Sequence, residues 1–515
     1  MEHARAGSAD GSHAQDWTRF GLTAKQSAGL FILLGTIVRL VLAPFGRYDT
    51  DNAVLAFRAS RIASLPLRSL YATNAGVIDH LPGDLWFMWY VTNAYSSLVT
   101  HPNYLSHSFL IVTKLVPIGT DVAAAFALFL LGRDLAGPKA GVLAAALYAF
   151  NPGPIFIASI WDQWDSISTC ALLFAIWFFL RRRYAFAAAA LTYSALIKPQ
   201  YSAVGLLFAL AFFRWNVLPF LRAAFAKRGS WRVLARPVGA ALGAVAAALV
   251  TAAGLLVPFG VGFWPLNTQF DIWERIEYVY RVHDETSENA FTLWATPLVG
   301  NGVNDWQFHF LGLEIGTWGR IFLGLGLVAV LALWWIRGSE RAFAWACLAM
   351  TFCLFMLPTR IHERYLFPTV ALAALVAAIQ PQRLWFCFSI SAVFAINVIA
   401  VFWFAHAKQG DAQRAHGAER GARGDGGDAA QHEGREQKTL RRDEPQPPVD
   451  DERDGAAGYP RPDEHTHQNK DEDGNLNPAE SFEHALLQLV PAVARPHDHE
   501  GGEAHRGDER QHRGT

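Results

Sequence analysis

Two carboxylates, Asp49 and Asp51, stand in the stretch FGRYDTDN (45–52), directly after the first long apolar run of the chain. An ionised carboxylate beside a hydrocarbon phase is costly, so such groups usually face a cavity, a partner or a reacting proton. A solvated loop that merely ends a span is the bland alternative, and this stretch alone does not separate the two. Three further polar clusters carry complementary chemistry. The sequence WDQWD (161–165) supplies Asp162, Gln163 and Asp165 just after Asn151-Pro152-Gly153-Pro154, which predicts a kinked or broken helix. Irregular backbone at membrane depth is tolerated only where it lines a cavity; an interfacial tryptophan belt with ordinary loop acids is the competing interpretation. Lys198-Pro199-Gln200 places a cation at a helix break, where a lysine also simply snorkels. The run RIHERY (360–365) gathers Arg360, His362, Glu363 and Arg364. An arginine pair suits a phosphate, whereas Glu363 and Arg364 alone make a self-neutralised loop pair.

The elements that must position these residues are apolar helices. Of the 515 residues, 52% are hydrophobic, and they concentrate before Lys408 in long runs, which is a membrane composition. The runs 28–45, 109–131, 239–259, 321–336 and 384–404 are nearly free of charge and approach the roughly 20 residues that cross a bilayer as a helix. Strands are excluded there, because lipid leaves an open sheet edge unpaired and no period-two alternation runs through the segments. Further runs lie near 138–158, 165–180, 184–197, 200–213, 342–358 and 365–380. The expected fold is therefore an all-α polytopic membrane protein of about eleven transmembrane helices. The weakest of these spans are 184–197 and 200–213, short enough to cross only if kinked or buried among neighbours.

Residues 51–65 place Val54, Leu55, Ile62 and Leu65 on one face and Arg58 and Arg61 on the other, as in a surface-lying amphipathic helix. Residues 79–99 begin DHLPGD and continue rich in aromatics, which suits an interfacial or re-entrant helix. Lysine and arginine then set the orientation. With a cytoplasmic amino-terminal segment (1–26), that segment shares its side with Arg133, Lys139, Arg181–Arg183, the basic run 214–236, Arg337, Arg341 and Arg383, in accord with the positive-inside rule. A first outer loop (46–107), a large outer loop (259–319) and all four polar clusters then face outward, where one extracytoplasmic chamber can hold them.

The net charge of −1 is segregated by region, and no nucleic-acid footprint is visible. Cys170, Cys347, Cys353 and Cys387 lie inside apolar runs without CxxC spacing, as small buried hydrophobes. Residues 1–26 lack the apolar core and cleavage site of a signal peptide, so the first span is expected to stay as an anchor. After about residue 405 the chain turns polar and loses hydrophobic period. This 406–515 segment fits a disordered tail, whose histidines lack ligand spacing, or the product of a slipped GC-rich reading frame.

The order RYDTDN, then Leu70-Tyr71, LPGDLWFMW, NPGPIFIASIWDQWDS, LIKPQ and IHERYLFP resembles the bacterial relatives of the GPI mannosyltransferases, within the GT-C class of membrane glycosyltransferases. The likeness spans most of residues 27–405. It departs at Pro82-Gly83, where relatives often have a double proline, and at Asp162, where a glycine is common. The resemblance implies extracytoplasmic transfer of a sugar, mannose favoured, from a polyprenyl-phosphate donor to a glycan or glycolipid acceptor, with inversion and without a nucleotide sugar. By that resemblance Asp51 is the general base, since Leu55 and Ala59 follow it at the spacing of the first-loop acid, and Asp49 is the runner-up. Arg364, Lys198 and Arg360 are then candidates for the donor phosphate, and His362 and Gln163 for sugar or phosphate hydrogen bonds. Asp162, Asp165 and Glu363 serve the acceptor or support the site. A carboxylate that accepts the acceptor's proton while cations stabilise the departing phosphate is sound chemistry in a dry pocket. The phosphate already has cationic partners, so no metal cofactor is expected.

A secondary transporter with an intramembrane charged site is the alternative from another class. Transporters usually show two similar halves with paired broken helices, and the large outer loop has no counterpart in the first half. A lipid-binding scaffold without chemistry leaves the one-sided gathering of acids and cations unexplained.

Overall fold

The computed structural model describes residues 22–73, 78, 80–225, 232–263, 268–282, 284–296 and 302–404. Most of the amino-terminal segment and the polar segment 406–515 lie outside the described residues, as does Asp79.

Local chemistry sets each element's ends. Helix α1 (Ala24–Leu42) opens on a capping box: Thr23 accepts from Gln26 N–H, and the Gln26 side chain accepts from Thr23 N–H at 2.9 Å. Helix α2 (Asp49–Ser64) carries both Asp49 and Asp51 in its first turn, where the helix dipole favours negative charge. Helix α3 (Pro82–Leu98) starts on a proline at its first position, where the missing N–H is no loss. Helix α4 (His107–Ala136) is capped by Ser106 and stopped by Gly137 at φ 92°, and α5 (Pro138–Ala149) doubles back along it. A side chain on Gly141 would fall 2.5 Å from Phe129 O, so glycine is what lets α4 and α5 touch backbone to backbone.

At Asn151-Pro152 the chain bends by 47° into α6 (Pro152–Trp161), whose last turn, Ile157–Trp161, is a π-turn. The expected break is there, and Asn151 caps the new helix by accepting from Gly153 N–H at 3.2 Å. Helices α7 (Asp165–Leu180) and α8 (Tyr184–Ala195) follow. Beyond them, α9 (Pro199–Ala223) runs far past the expected end at 213. Arg214 does not stop it, because its guanidinium donates to Trp335 O and lies 5.0 Å over the Trp335 ring. The expectation of a short span at 200–213 is corrected accordingly.

Among the described residues six helices are long and apolar enough to cross a membrane, and the bent α5–α6 pair is a seventh. Runs 165–180, 184–197, 342–358 and 365–380 form shorter apolar helices. The last of these, α10 (Phe367–Ile379), is buried from Phe367 to Ala378 and forms the middle of the core with α4, α5 and α7. Its alanines, Ala371, Ala373, Ala374, Ala377 and Ala378, admit close neighbours. The helices Arg232–Leu256 and Ile315–Arg337 present Leu242, Leu249, Leu325 and Val328 outward, as lipid-facing helices do.

The large outer loop is not strand-free. Val261–Gly262 pairs in parallel with Phe270–Asp271, and His309–Phe310 pairs antiparallel with Leu313–Glu314. These ladders are two residues long in a mainly helical chain. They pin the loop rather than build a sheet.

Candidate functional site

A cavity of 480 Å³ opens where α2, the start of α3, the turn 161–165, the turn 197–200 and the segment 362–365 converge. From α2 it takes Asp51, Val54, Leu55 and Arg58, the i, i+3, i+4, i+7 face of one helix. Arg58 is 8% exposed, so the expectation of an outward-facing arginine at this position is overturned. The spacing from Asp51 puts Arg58 on the cavity side.

Asp51 Oδ2 accepts two hydrogen bonds, from Trp161 Nε1 at 2.7 Å and from Gln163 Nε2 at 2.5 Å. Its Oδ1 makes none among the described residues. Two donors thus orient the carboxylate and leave one oxygen for a proton. Tyr48 packs on Trp161 with ring centroids 5.2 Å apart, backing the indole that holds Asp51. Asp49 turns away: it pairs with Arg47, its side chain is 41% exposed, and it does not line the cavity.

Between the two donors sits Asp162, buried at 2% and in the left-handed region at φ 70°. Few residues with a side chain adopt that conformation freely, aspartate and asparagine among them. Thr113 donates to Asp162 Oδ2 at 2.5 Å and Trp164 donates to Oδ1 at 3.3 Å. Burial pushes the Asp162 carboxyl up to about 7, against the pull of the Thr113 hydroxyl and the Lys114 charge.

Asp165, 2% exposed, lies between two cations of the cavity wall: 3.3 Å from Lys198 Nζ and 3.7 Å from Arg364 Nε. Glu363, 3% exposed, pairs with Arg364 at 3.0 Å. Burial works against the charge on both Lys198 and Arg364, but these carboxylates outweigh it and hold both pKa values above the ordinary range. Lys198 also stands 4.3 Å from the Tyr365 ring centroid, a cation–π contact. His362 Nδ1 pairs with Glu288 at 2.7 Å, tying the large outer loop to the cavity wall.

Arg360 takes no part. Its guanidinium forms a fork on Asp305, with Nε and Nη2 each at 2.9 Å, and lies 4.0 Å over the Tyr280 ring. The structure therefore brings Asp51, Asp162, Gln163, Asp165, Lys198, His362, Glu363 and Arg364 to one cavity, and Asp49 and Arg360 to other places. Among the described residues no three His, Cys, Asp or Glu side chains converge as a metal-holding set.

Several residues here escaped the sequence reasoning. His80 pairs with the buried Asp84 at the cavity edge, an i, i+4 spacing visible within DHLPGD. Arg39, Lys114 and Asp121 are buried lone charges inside apolar runs, a signal that was there to be used. Arg39 pairs with Asp121 at 2.8 Å and donates to Ala149 O at 2.6 Å, and Tyr148 donates to Asp121 at 2.6 Å. That cluster ties α1 and α4 to the end of α5, directly before the Asn151-Pro152 bend.

No protein-family profile and no curated protein sequence matches the chain. Among solved structures it is similar to ArnT from Cupriavidus metallidurans bound to undecaprenyl phosphate, at 13% identity and a TM-score of 0.42, over 71% of this chain and 62% of that one. It is also similar to the archaeal oligosaccharyltransferase AglB from Archaeoglobus fulgidus in complex with an inhibitory peptide and a dolichol-phosphate, at 13% identity and a TM-score of 0.39, over 75% of this chain and 56% of that one. The chain thus spans less than two thirds of the length of either.

Proposed function

We propose that this protein is a glycosyltransferase that moves a sugar, mannose favoured, from a polyprenyl-phosphate donor to a hydroxyl of an extracytoplasmic glycan or glycolipid. The supporting observation is a single cavity that joins a carboxylate with one oxygen unengaged among the described residues, Asp51, to two half-buried cations, Lys198 and Arg364. The class of donor and the favoured sugar rest on the resemblance of the sequence motifs.

In this scheme Asp51 Oδ1 takes the proton of the acceptor hydroxyl, and the acceptor oxygen attacks the anomeric carbon. The bond from that carbon to the phosphate oxygen breaks in the same displacement, so configuration inverts. The polyprenyl phosphate leaves with one more negative charge, which Lys198 and Arg364 stabilise. Asp165 and Glu363 keep both cations charged and in place before the donor arrives. Gln163 and His362 are placed to hydrogen-bond the sugar or the phosphate. Asp162 supports the turn that carries Asp51's donors. The positive-inside distribution of lysine and arginine supports an outward-facing cavity.

The test is transfer by purified protein against a panel of polyprenyl-phosphate sugars, with nucleotide sugars alongside and products followed by mass spectrometry. Transfer from a polyprenyl-phosphate sugar alone is the expected result. Transfer from a nucleotide sugar, or from none, rejects the reading.

A further inference from the structure

Lys114 is 1% exposed and sits within the long apolar helix α4. An ammonium at that depth is costly unless it is used. It does not line the cavity. It donates to Ala43 O at 2.7 Å and to Gly46 O, the two carbonyls that bracket the turn between α1 and α2. Helix α2 begins three residues after Gly46 and presents Asp51 in its first turn.

The residue beside it holds the other half of the arrangement. Thr113 donates to Asp162 Oδ2 at 2.5 Å, and Asp162 stands between Trp161 and Gln163, the two donors to Asp51. Adjacent residues of one helix therefore grip the backbone that leads to the carboxylate and the side chain that stands between its two hydrogen-bond donors. The two gripped segments also touch each other. A Cβ on Gly46 would fall 2.8 Å from both Cα and O of Ile160, in the π-turn that leads into Trp161.

We propose that Lys114 is a positioning residue for glycosyl transfer: its ammonium fastens the Ala43–Gly46 turn to α4 and so fixes where Asp51 stands relative to Trp161 and Gln163. The inference rests on Asp51 being the general base. A misplacement of about 1 Å in a reacting group slows chemistry by up to about a hundredfold without a matching loss of substrate affinity. A lysine that only stabilised the helix bundle would instead lower rate, donor affinity and folded yield together.

The experiment compares purified wild type, Lys114→Met, Asp51→Asn and the double variant by single-turnover transfer, with donor affinity measured separately. Lys114→Met is expected to slow transfer by at least about tenfold and to keep donor affinity within about twofold. The double variant is expected to be no slower than Asp51→Asn, because a misplaced base that is already absent has nothing more to lose. Gly46→Ala attacks the same turn from its other side and is expected to show the same pattern; it decides the matter if Lys114→Met does not fold. A wild-type rate for Lys114→Met beside an inactive Asp51→Asn overturns the positioning role and leaves the base in place. Independent, multiplying losses in the double variant also overturn it. A wild-type rate for Asp51→Asn overturns both.

Discussion

Lys198 Nζ stands 3.3 Å from Asp165 Oδ1, with the aspartate side chain only 2% exposed. Each group makes the other's burial tolerable, and removing the lysine leaves Asp165 only the longer contact to Arg364 Nε at 3.7 Å, which destabilises by up to about 3 kcal/mol. Lys198→Met is therefore expected to lower both thermal stability and donor affinity. Adding Asp165→Asn to it is expected to restore much of the stability and none of the affinity. Melting temperature and donor binding measured on both variants check the split, and joint recovery of both would contradict a role for Lys198 in holding the phosphate.

Arg360 and Arg364 lie four residues apart and should fail differently. Arg364→Ala removes a cation from the cavity wall and the partner of buried Glu363, so it is expected to weaken donor binding by about tenfold and to lower stability as well. Arg360→Ala leaves Asp305 buried and unpaired in the large outer loop, so it is expected to cost about 3 kcal/mol of stability with little change in donor affinity. Binding isotherms beside unfolding curves distinguish the two, and loss of donor affinity in a well-folded Arg360→Ala would place that arginine at the phosphate after all.

Asp162 predicts a pH dependence of stability. Its carboxyl titrates near 7 in the folded protein and at 3.8 in the ordinary case, so between those values the native state holds a proton that the unfolded chain has released. Stability then falls as pH rises from about 4 to about 7 and levels off above, the slope being set by the excess of protons bound in the native state. Asp162→Asn is expected to shrink the difference in melting temperature between pH 5 and pH 8, since asparagine also tolerates the left-handed conformation. An unchanged difference would show that Asp162 is not the titrating group.

Orientation is testable independently of chemistry. Gln307 and Arg183 are both exposed, on segments that the proposed orientation would put on opposite sides of the membrane. In a background without native cysteines, Gln307→Cys is expected to react with an impermeant thiol reagent in intact cells and Arg183→Cys to stay unlabelled. The reverse pattern would put the cavity in the cytoplasm.

Much of the site was legible because each polar cluster interrupts an apolar run. Lipid makes such an interruption expensive, so 161–165, 198–200 and 360–365 announced themselves without any knowledge of their contacts. What stayed hidden depended on partners far away in sequence. Arg360 belongs with Asp305 rather than Arg364, a pairing across a loop that spacing does not encode. The charge of Arg58 suggests an outer face, but its seven-residue distance from Asp51 puts both on one helical face. Lys114 and Asp121 were absorbed into runs that looked uniformly apolar, where a lone charge is a signal in its own right. The left-handed backbone at Asp162 is likewise set by the turn it sits in and not by the residue type.

The most direct test of the central claim is single-turnover transfer by Asp51→Asn with donor affinity measured in parallel. Asparagine keeps the side chain's size and most of its contacts with Trp161 and Gln163 but cannot accept the acceptor's proton. The account predicts a loss of about a hundredfold or more in transfer with donor affinity nearly unchanged, and a milder effect for Asp49→Asn. Near-normal transfer by Asp51→Asn together with an inactive Asp49→Asn would move the base to Asp49. Near-normal transfer by the double variant would contradict a carboxylate base altogether.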